Sequence, residues 1–256
     1  MRQFAAPVTF WFLIVSIAPQ VSAMDLVIAG YGDSLTGDTN SKWCGHVQAP
    51  DACDPTHAIP GERTQDGSAR LIADLAVGAV DANTTHIALA WGANDIRRSD
   101  LDWNADFEQP LRDAVNAVLE AGFKPVLVVT LDQYKVTPTQ SPIECDPFPD
   151  LQARLDAEFS PRIYDISNDY SPPLAVVDLN AAYDAIPESV KCPGAWHSGY
   201  YADHVHQTDA GYQFMADAVV ADIRLGPGPS VPSLSPLGIA LLWGLLGVVG
   251  LQRLRA

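Results

Sequence analysis

Short runs of consecutive apolar residues alternate along the chain with longer stretches whose apolar positions recur every three or four residues. Asp25-Leu26-Val27-Ile28-Ala29-Gly30, Thr85-His86-Ile87-Ala88-Leu89-Ala90-Trp91, Pro125-Val126-Leu127-Val128-Val129-Thr130-Leu131 and Leu174-Ala175-Val176-Val177-Asp178-Leu179 are too short and too uniformly apolar for amphipathic helices, so they predict buried strands. Helical spacing is carried by residues 65–80 through Leu71, Ile72, Leu75 and Ala76. A second helix opens at Pro110, shows Leu111, Val115, Val118 and Leu119 on one stripe, and meets a stop at Gly122. A third covers 151–159, and a last one starts near Thr208 with Tyr212, Met215 and Val219 towards the core. Residues 40–60, 132–150 and 180–200, rich in Pro, Asp or Cys, read as loops. Strands alternating with helices predict an α/β fold: a mainly parallel sheet covered on both faces, a three-layer α/β/α sandwich.

Ligands of such sheets bind beyond the carboxyl ends of the strands. The residues found there matter most: Gly32-Asp33-Ser34-Leu35-Thr36 after the first strand and Gly92-Ala93-Asn94-Asp95 after the second. Asp203-His204-Val205-His206 precedes the last helix. Each is unremarkable singly, since serine and asparagine commonly cap helices and shape turns. Together they hold the parts of an acyl-transfer site. A hydroxyl needs a base to take its proton, and neutral imidazole does so near pH 7. A carboxylate orients and stabilises the imidazolium. The tetrahedral intermediate needs N–H donors aimed at its oxyanion.

The ends of the chain look like addresses. Residues 1–23 pair Arg2 with an apolar Phe10–Val15 stretch and end in small residues, Val21-Ser22-Ala23, which predicts an export signal peptide. Residues 229–236 form a Pro/Ser linker, and 237–256 an apolar run ending in Arg253 and Arg255, a cationic terminus expected to stay inside. Val231-Pro232-Ser233-Leu234-Ser235-Pro236-Leu237-Gly238 followed by that run resembles the IPTL-CTERM sorting tails of Gram-negative bacteria, with Val for Ile and Ser for Thr. The resemblance implies membrane contact through the tail before it is removed in surface sorting; a plain anchor is the alternative. Residues 24–228 remain as one domain, long enough to bury a core without help from metals.

Without Arg2, Arg253 and Arg255, the chain holds 12 basic against 31 acidic residues, a net charge of −19. Such a surface repels nucleic acid and anionic lipid. Four cysteines in an exported chain favour disulfides; three pairings are possible, and Cys44–Cys53 with Cys145–Cys192 is preferred. No C-x-x-C pair exists, and His46, His57, His86 and His197 are scattered without ligand spacing, so no metal and no cofactor is expected.

The three chemical stretches, with Ile59-Pro60-Gly61-Glu62-Arg63-Thr64 and Gly67-Ser68-Ala69-Arg70-Leu71 as a fourth block, resemble the GDSL or SGNH hydrolases over residues 25–221. The resemblance implies the flavodoxin-like SGNH hydrolase fold and a serine esterase or lipase. Ser34 matches the nucleophile, His206 the base and Asp203 the orienting acid. The Gly61 N–H, the Asn94 amide and the N–H of Ser34 match the oxyanion donors. His204 then takes a place that is usually small, and Asp33 and Asp95 are expected to make local hydrogen bonds that shape their turns.

Substrates implied are small-molecule, glycan or lipid esters, with carbohydrate acetyl esters as one specific class. Trp43, Trp91, Trp103 and Trp196 could stack on sugars, although core positions are commoner for such residues. A non-catalytic surface binding module on the same fold is the competing reading.

Overall fold

The computed structural model describes residues 25–37, 42–131, 134–136, 145–147, 149–186 and 206–226. Five parallel strands form the sheet: β1 (Val27–Gly32), β2 (Ala52–Asp54), β3 (His86–Ala90), β4 (Lys124–Val129) and β7 (Ala175–Asp178), in the order β2-β1-β3-β4-β7. A two-stranded antiparallel pair, β5 (Tyr134–Val136) and β6 (Cys145–Pro147), stands apart from it. The helices are α1 (Thr64–Ala76), α2 (Gln109–Glu120), α3 (Pro149–Arg154), α4 (Ser160–Asn168), α5 (Leu179–Asp184) and α6 (Asp209–Leu225).

The alternation within each strand sorts the core into two layers. Ile28, Ala88, Val126, Val128 and Val177 face α6 through Met215, Val219 and Ile223, with Leu179 and Tyr183 of α5 beside them. Ala29, Tyr31, Ile87, Leu89, Leu127 and Val129 face Leu71 of α1, Leu111, Val115 and Val118 of α2, and Ile163 and Ile166 of α4. The fold is therefore the expected α/β/α sandwich. Its strand order matches that of flavodoxin-like sheets, and the chain leaves β1 towards β2 but returns to β3 on the other side. The crevice where the order reverses lies between the ends of β1 and β3.

Several elements differ from the sequence reading. The first strand continues through Gly30 to Gly32 because β3 pairs with it in register up to Gly32↔Ala90. Within the 40–60 loop, a 3-10 turn (Trp43–His46) and strand β2 are joined by the cystine Cys44–Cys53. Helix α1 stops at Ala76, not near Val80. Gly78 takes a left-handed φ of +68°, and the N–H groups of Gly78 and Ala79 turn back to the carbonyls of Leu75 and Asp74. Gly122, with φ +86°, ends α2 in the same way, as expected. Ile72 and Leu119 lie outward rather than on the buried stripes. The helix expected over 151–159 passes through a widened turn (Leu155–Phe159) into α4; Leu155, Phe159, Ile163 and Ile166 form one continuous buried stripe. Leu179 belongs to α5, not to β7.

Among the described residues no helix is long and apolar enough to cross a membrane. The signal-peptide and tail segments and the Cys145–Cys192 bridge lie outside what the described residues can address, as do Asp203, His204, His197 and Trp196.

Candidate active site

Ser34 stands on the turn that leaves β1 at its carboxyl end. Asp33 shapes that turn: its carbonyl accepts the N–H groups of Thr36 (3.1 Å) and Gly37 (3.4 Å), and its Oδ1 accepts the N–H of Leu35 at 2.9 Å. The segment Ala58–Glu62 runs alongside. Ala58 bridges Gly32, and the Ile59 N–H donates to the Gly32 carbonyl at 3.0 Å. Gly61 follows with φ +79°, and a Cβ there would meet no atom within 4 Å. Glycine is favoured at this position by backbone conformation, not by crowding.

Asn94 comes from the turn after β3. Its Nδ2 donates to the Glu62 carbonyl at 3.1 Å and to Asp33 Oδ2 at 3.3 Å. The amide thus joins the glycine segment to the Ser34 turn. Asp95 makes a second tie: its Oδ2 accepts both the N–H (3.1 Å) and the hydroxyl (2.9 Å) of Thr64, the first residue of α1. The expectation of local, turn-shaping hydrogen bonds holds for Asp33 and is corrected for Asp95. Asp33 does bond locally, but it also reaches Asn94, and Asp95 spans 31 positions to Thr64. Buried polar groups need partners, and in this crowded end of the sheet the available donors come from neighbouring segments.

His206 arrives from the far end of the chain, three residues before α6. Its Nε2 lies 3.2 Å from Ser34 Oγ, across 172 positions of sequence. The backbone behind it is anchored. Gln207 is buried and its Oε1 accepts the Tyr183 hydroxyl at 2.9 Å, while Thr208 caps α6 by accepting the Gly211 N–H at 3.3 Å.

The electrostatics of the site are dominated by buried acids. Burial pushes the Asp33 carboxyl up to about 7, against the Leu35 N–H that favours its ionised form; neighbouring Asp95 adds to the rise. Burial also raises Asp95, opposed by its two bonds from Thr64. Further out, Glu62 is held by Arg70 and by the indole N–H of Trp91 at 2.9 Å.

Trp43 and Trp91 are buried in the two core layers, so they pack the fold and do not offer faces to sugars. Trp103 carries the guanidinium groups of Arg154 and Arg162 over its ring, their carbons 5.4 and 5.2 Å from its centre. Among the described residues no group of three or more His, Cys, Asp or Glu side chains stands ready to hold a metal ion. Glu62, Thr64 and Arg70 lay within the fourth sequence block, but their spacing carried no sign of the bonds they make. An acid next to a glycine, and an arginine on a helix, ordinarily read as surface charge.

A hydroxyl within hydrogen-bonding reach of an imidazole, beside a left-handed glycine and an asparagine amide, has the parts that acyl transfer requires. Comparison with known proteins points to an ester hydrolase. The family model described as GDSL-like lipase/acylhydrolase matches residues 32–219. No curated protein matches the chain. Among solved structures, the acetyl xylan esterase AlAXEase is similar at 18% identity and a TM-score of 0.57, over 77% of this chain and 100% of that one. A catalytic mutant of Axe2, an acetylxylan esterase from Geobacillus stearothermophilus, is similar at 17% identity and a TM-score of 0.57, over 78% and 96%. LAE5, an alpha/beta hydrolase enzyme from the metagenome of Lake Arreo, Spain, is similar at 17% identity and a TM-score of 0.55, over 77% and 94%. These likenesses show a shared fold, and the family match goes further: the chain belongs to the GDSL-like lipase/acylhydrolase family and is a carboxylic ester hydrolase.

Proposed function

We propose that this esterase works through an acyl-enzyme on Ser34. His206 takes the Ser34 proton as the hydroxyl attacks the ester carbonyl, then returns it to the leaving alcohol. Water repeats the sequence to release the acid. Asp203 orients the imidazole. The N–H groups of Ser34 and Gly61 and the amide of Asn94 receive the negative charge that develops on the carbonyl oxygen. The observation that carries this reading is the 3.2 Å approach of His206 Nε2 to Ser34 Oγ. Both amide protons of Asn94 already have acceptors, Glu62 O and Asp33 Oδ2. The longer bond, to Asp33, is the one an oxyanion would take over.

The substrate class we favour is acetylated carbohydrate. Two structural neighbours are described as acetylxylan esterases, and catalytic mutants of one of them replace a serine and a histidine by alanine. An acidic surface also suits a neutral ester better than an anionic lipid. We further propose that the enzyme is exported, since the cystine Cys44–Cys53 belongs to an oxidising compartment.

The test pairs a fluorophosphonate label with turnover. Wild-type protein should be labelled at Ser34, shown by peptide mass, and should release acetate from acetylated xylan. Ser34→Ala should do neither. Substantial ester hydrolysis by Ser34→Ala, or labelling at another serine, ends the assignment. A protein that neither takes up the label nor turns over any ester in a chain-length panel would instead be a binding module on this fold.

A further inference from the structure

We propose that Glu62 is a positioning residue for the Asn94 amide, held in place by its ion pair with Arg70; this rests on the reading of Asn94 as an oxyanion donor. Every polar group of Glu62 is used. Its carboxylate, 6% exposed, accepts Arg70 Nε at 2.8 Å on Oε1, and on Oε2 both Arg70 Nη2 at 2.7 Å and Trp91 Nε1 at 2.9 Å. Its N–H donates to the Ile59 carbonyl at 3.0 Å, and its own carbonyl accepts Asn94 Nδ2 at 3.1 Å.

A buried carboxylate costs free energy unless it is paired, and packing alone would be served by an apolar side chain. The charge instead obtains direction. Guanidinium and carboxylate meet as two parallel bonds, a geometry that fixes orientation as well as distance. The indole N–H, carried by the residue just after β3, adds a third point. The anchor behind the pair is itself tied down. Arg70 sits on α1, donates to the His57 carbonyl at 2.6 Å, lies 3.5 Å from Asp74, and stands over the Tyr31 ring at 5.2 Å. Tyr31, on β1, donates its hydroxyl to Asp74 at 2.9 Å.

The consequence falls on Asn94, whose amide stands between two acceptors. If the Glu62 carbonyl turns away, the amide is left with the buried carboxylate of Asp33 and swings towards it. A donor displaced by about 1 Å from its productive place costs on the order of a hundredfold in rate. A lesser tilt costs less. Glu62 touches no reacting atom in this account and acts only through Asn94.

The experiment measures kcat and KM for p-nitrophenyl acetate in Glu62→Gln, Asn94→Ala, the double variant and Ser34→Ala, with thermal melting of each. In Glu62→Gln one oxygen becomes an amide that faces an N–H donor. A fall in kcat of about tenfold is expected, with KM within about threefold. On the Asn94→Ala background the same change should cost less than about twofold. Arg70→Lys keeps the charge but loses the fork, and should show a smaller fall with the same dependence on Asn94; it carries the test if Glu62→Gln does not fold. An unchanged kcat in both variants overturns the proposal. So does a fall repeated in full when Asn94 is already alanine, because that would mark a merely structural staple. Turnover surviving in Ser34→Ala would instead overturn the acyl-enzyme reading beneath it.

Discussion

The two sides of Ser34 are built by different means. On the donor side, three segments that are distant in sequence are tied by buried acids: Asp33 to Asn94, Asp95 to Thr64, and Glu62 to Arg70 and Trp91. On the side proposed for the base, His206 stands where the chain enters α6; among the described contacts, Thr208 caps that helix and the hydroxyl of Tyr183 donates to Gln207. The first arrangement places dipoles without rearrangement, as stabilising a developing charge requires. The second holds a ring that, in the proposed mechanism, gains and loses a proton on each turnover. Among the described residues, then, the proposed donors are set by a network of buried acids, and the proposed base stands at the start of a helix.

The comparison breaks most decisively at the centre. Ser34→Ala and His206→Ala should each cost about 10⁴-fold or more in kcat, and combining them should cost little beyond either one, because nucleophile and base act as a unit. If the double variant shows the product of the two losses instead, then they do not share one step. Asn94→Ala tests the other side alone. It should lower kcat roughly 10² to 10³-fold, the effect of removing one oxyanion donor, while melting within a few degrees of the wild type.

The sheet was legible because strands buried on both faces must be almost wholly apolar, and β1, β3, β4 and β7 are. Strand β2 was not. Ala52-Cys53-Asp54 is too short to show a period, and its place is set by the edge of β1 and the cystine to Cys44. The stripe of α4 continues that of the preceding helix, but Ser160-Pro161 interrupts the pattern in the form of a helix start. Ser34, Asn94 and His206 were readable as residue types suited to one chemistry, and the strand-end rule gathered them. Their supporting residues were not readable. Nothing in the spacing of Glu62, Arg70 and Trp91 says that an indole following β3 will lie over a carboxylate. Only the crossover from β1 to β3 brings them together.

Asp33 sharpens the donor side through pH. Its carboxyl rises from an ordinary 3.8 to about 7 on folding, with burial the main cause. Between about pH 4 and 7 the folded chain therefore keeps a proton that the unfolded chain has released. The stability it contributes is complete below that window, declines as pH rises through it, and is gone above about 7. The full span corresponds to a few kcal/mol at most. In Asp33→Asn this slope should vanish. Urea midpoints at pH 5 and pH 8 measure it, since the buried Asp95, which adds a slope of the same sign, is present in both proteins. Equal midpoint differences between wild type and variant at the two pH values would show that Asp33 is ionised throughout.

The base side gives the smallest expected effect and the clearest contrast. Tyr183→Phe removes the hydroxyl that donates to Gln207 Oε1 at 2.9 Å, with the Gly211 carbonyl of α6 at 3.4 Å, and leaves the ring in its place against Phe214. Leaving the buried Gln207 oxygen without this donor costs about 1–3 kcal/mol of stability. Because Gln207 adjoins His206, the backbone that carries the imidazole loosens as well, and kcat should fall by a factor of about two to five with KM unchanged. The two sides then separate by their response to a second change. Asn94→Ala and Tyr183→Phe touch different segments of the chain, so their effects on kcat should multiply. A combined loss well short of the product would mean that the helix start and the donor network move together, and the division between the two sides of Ser34 would have to be abandoned.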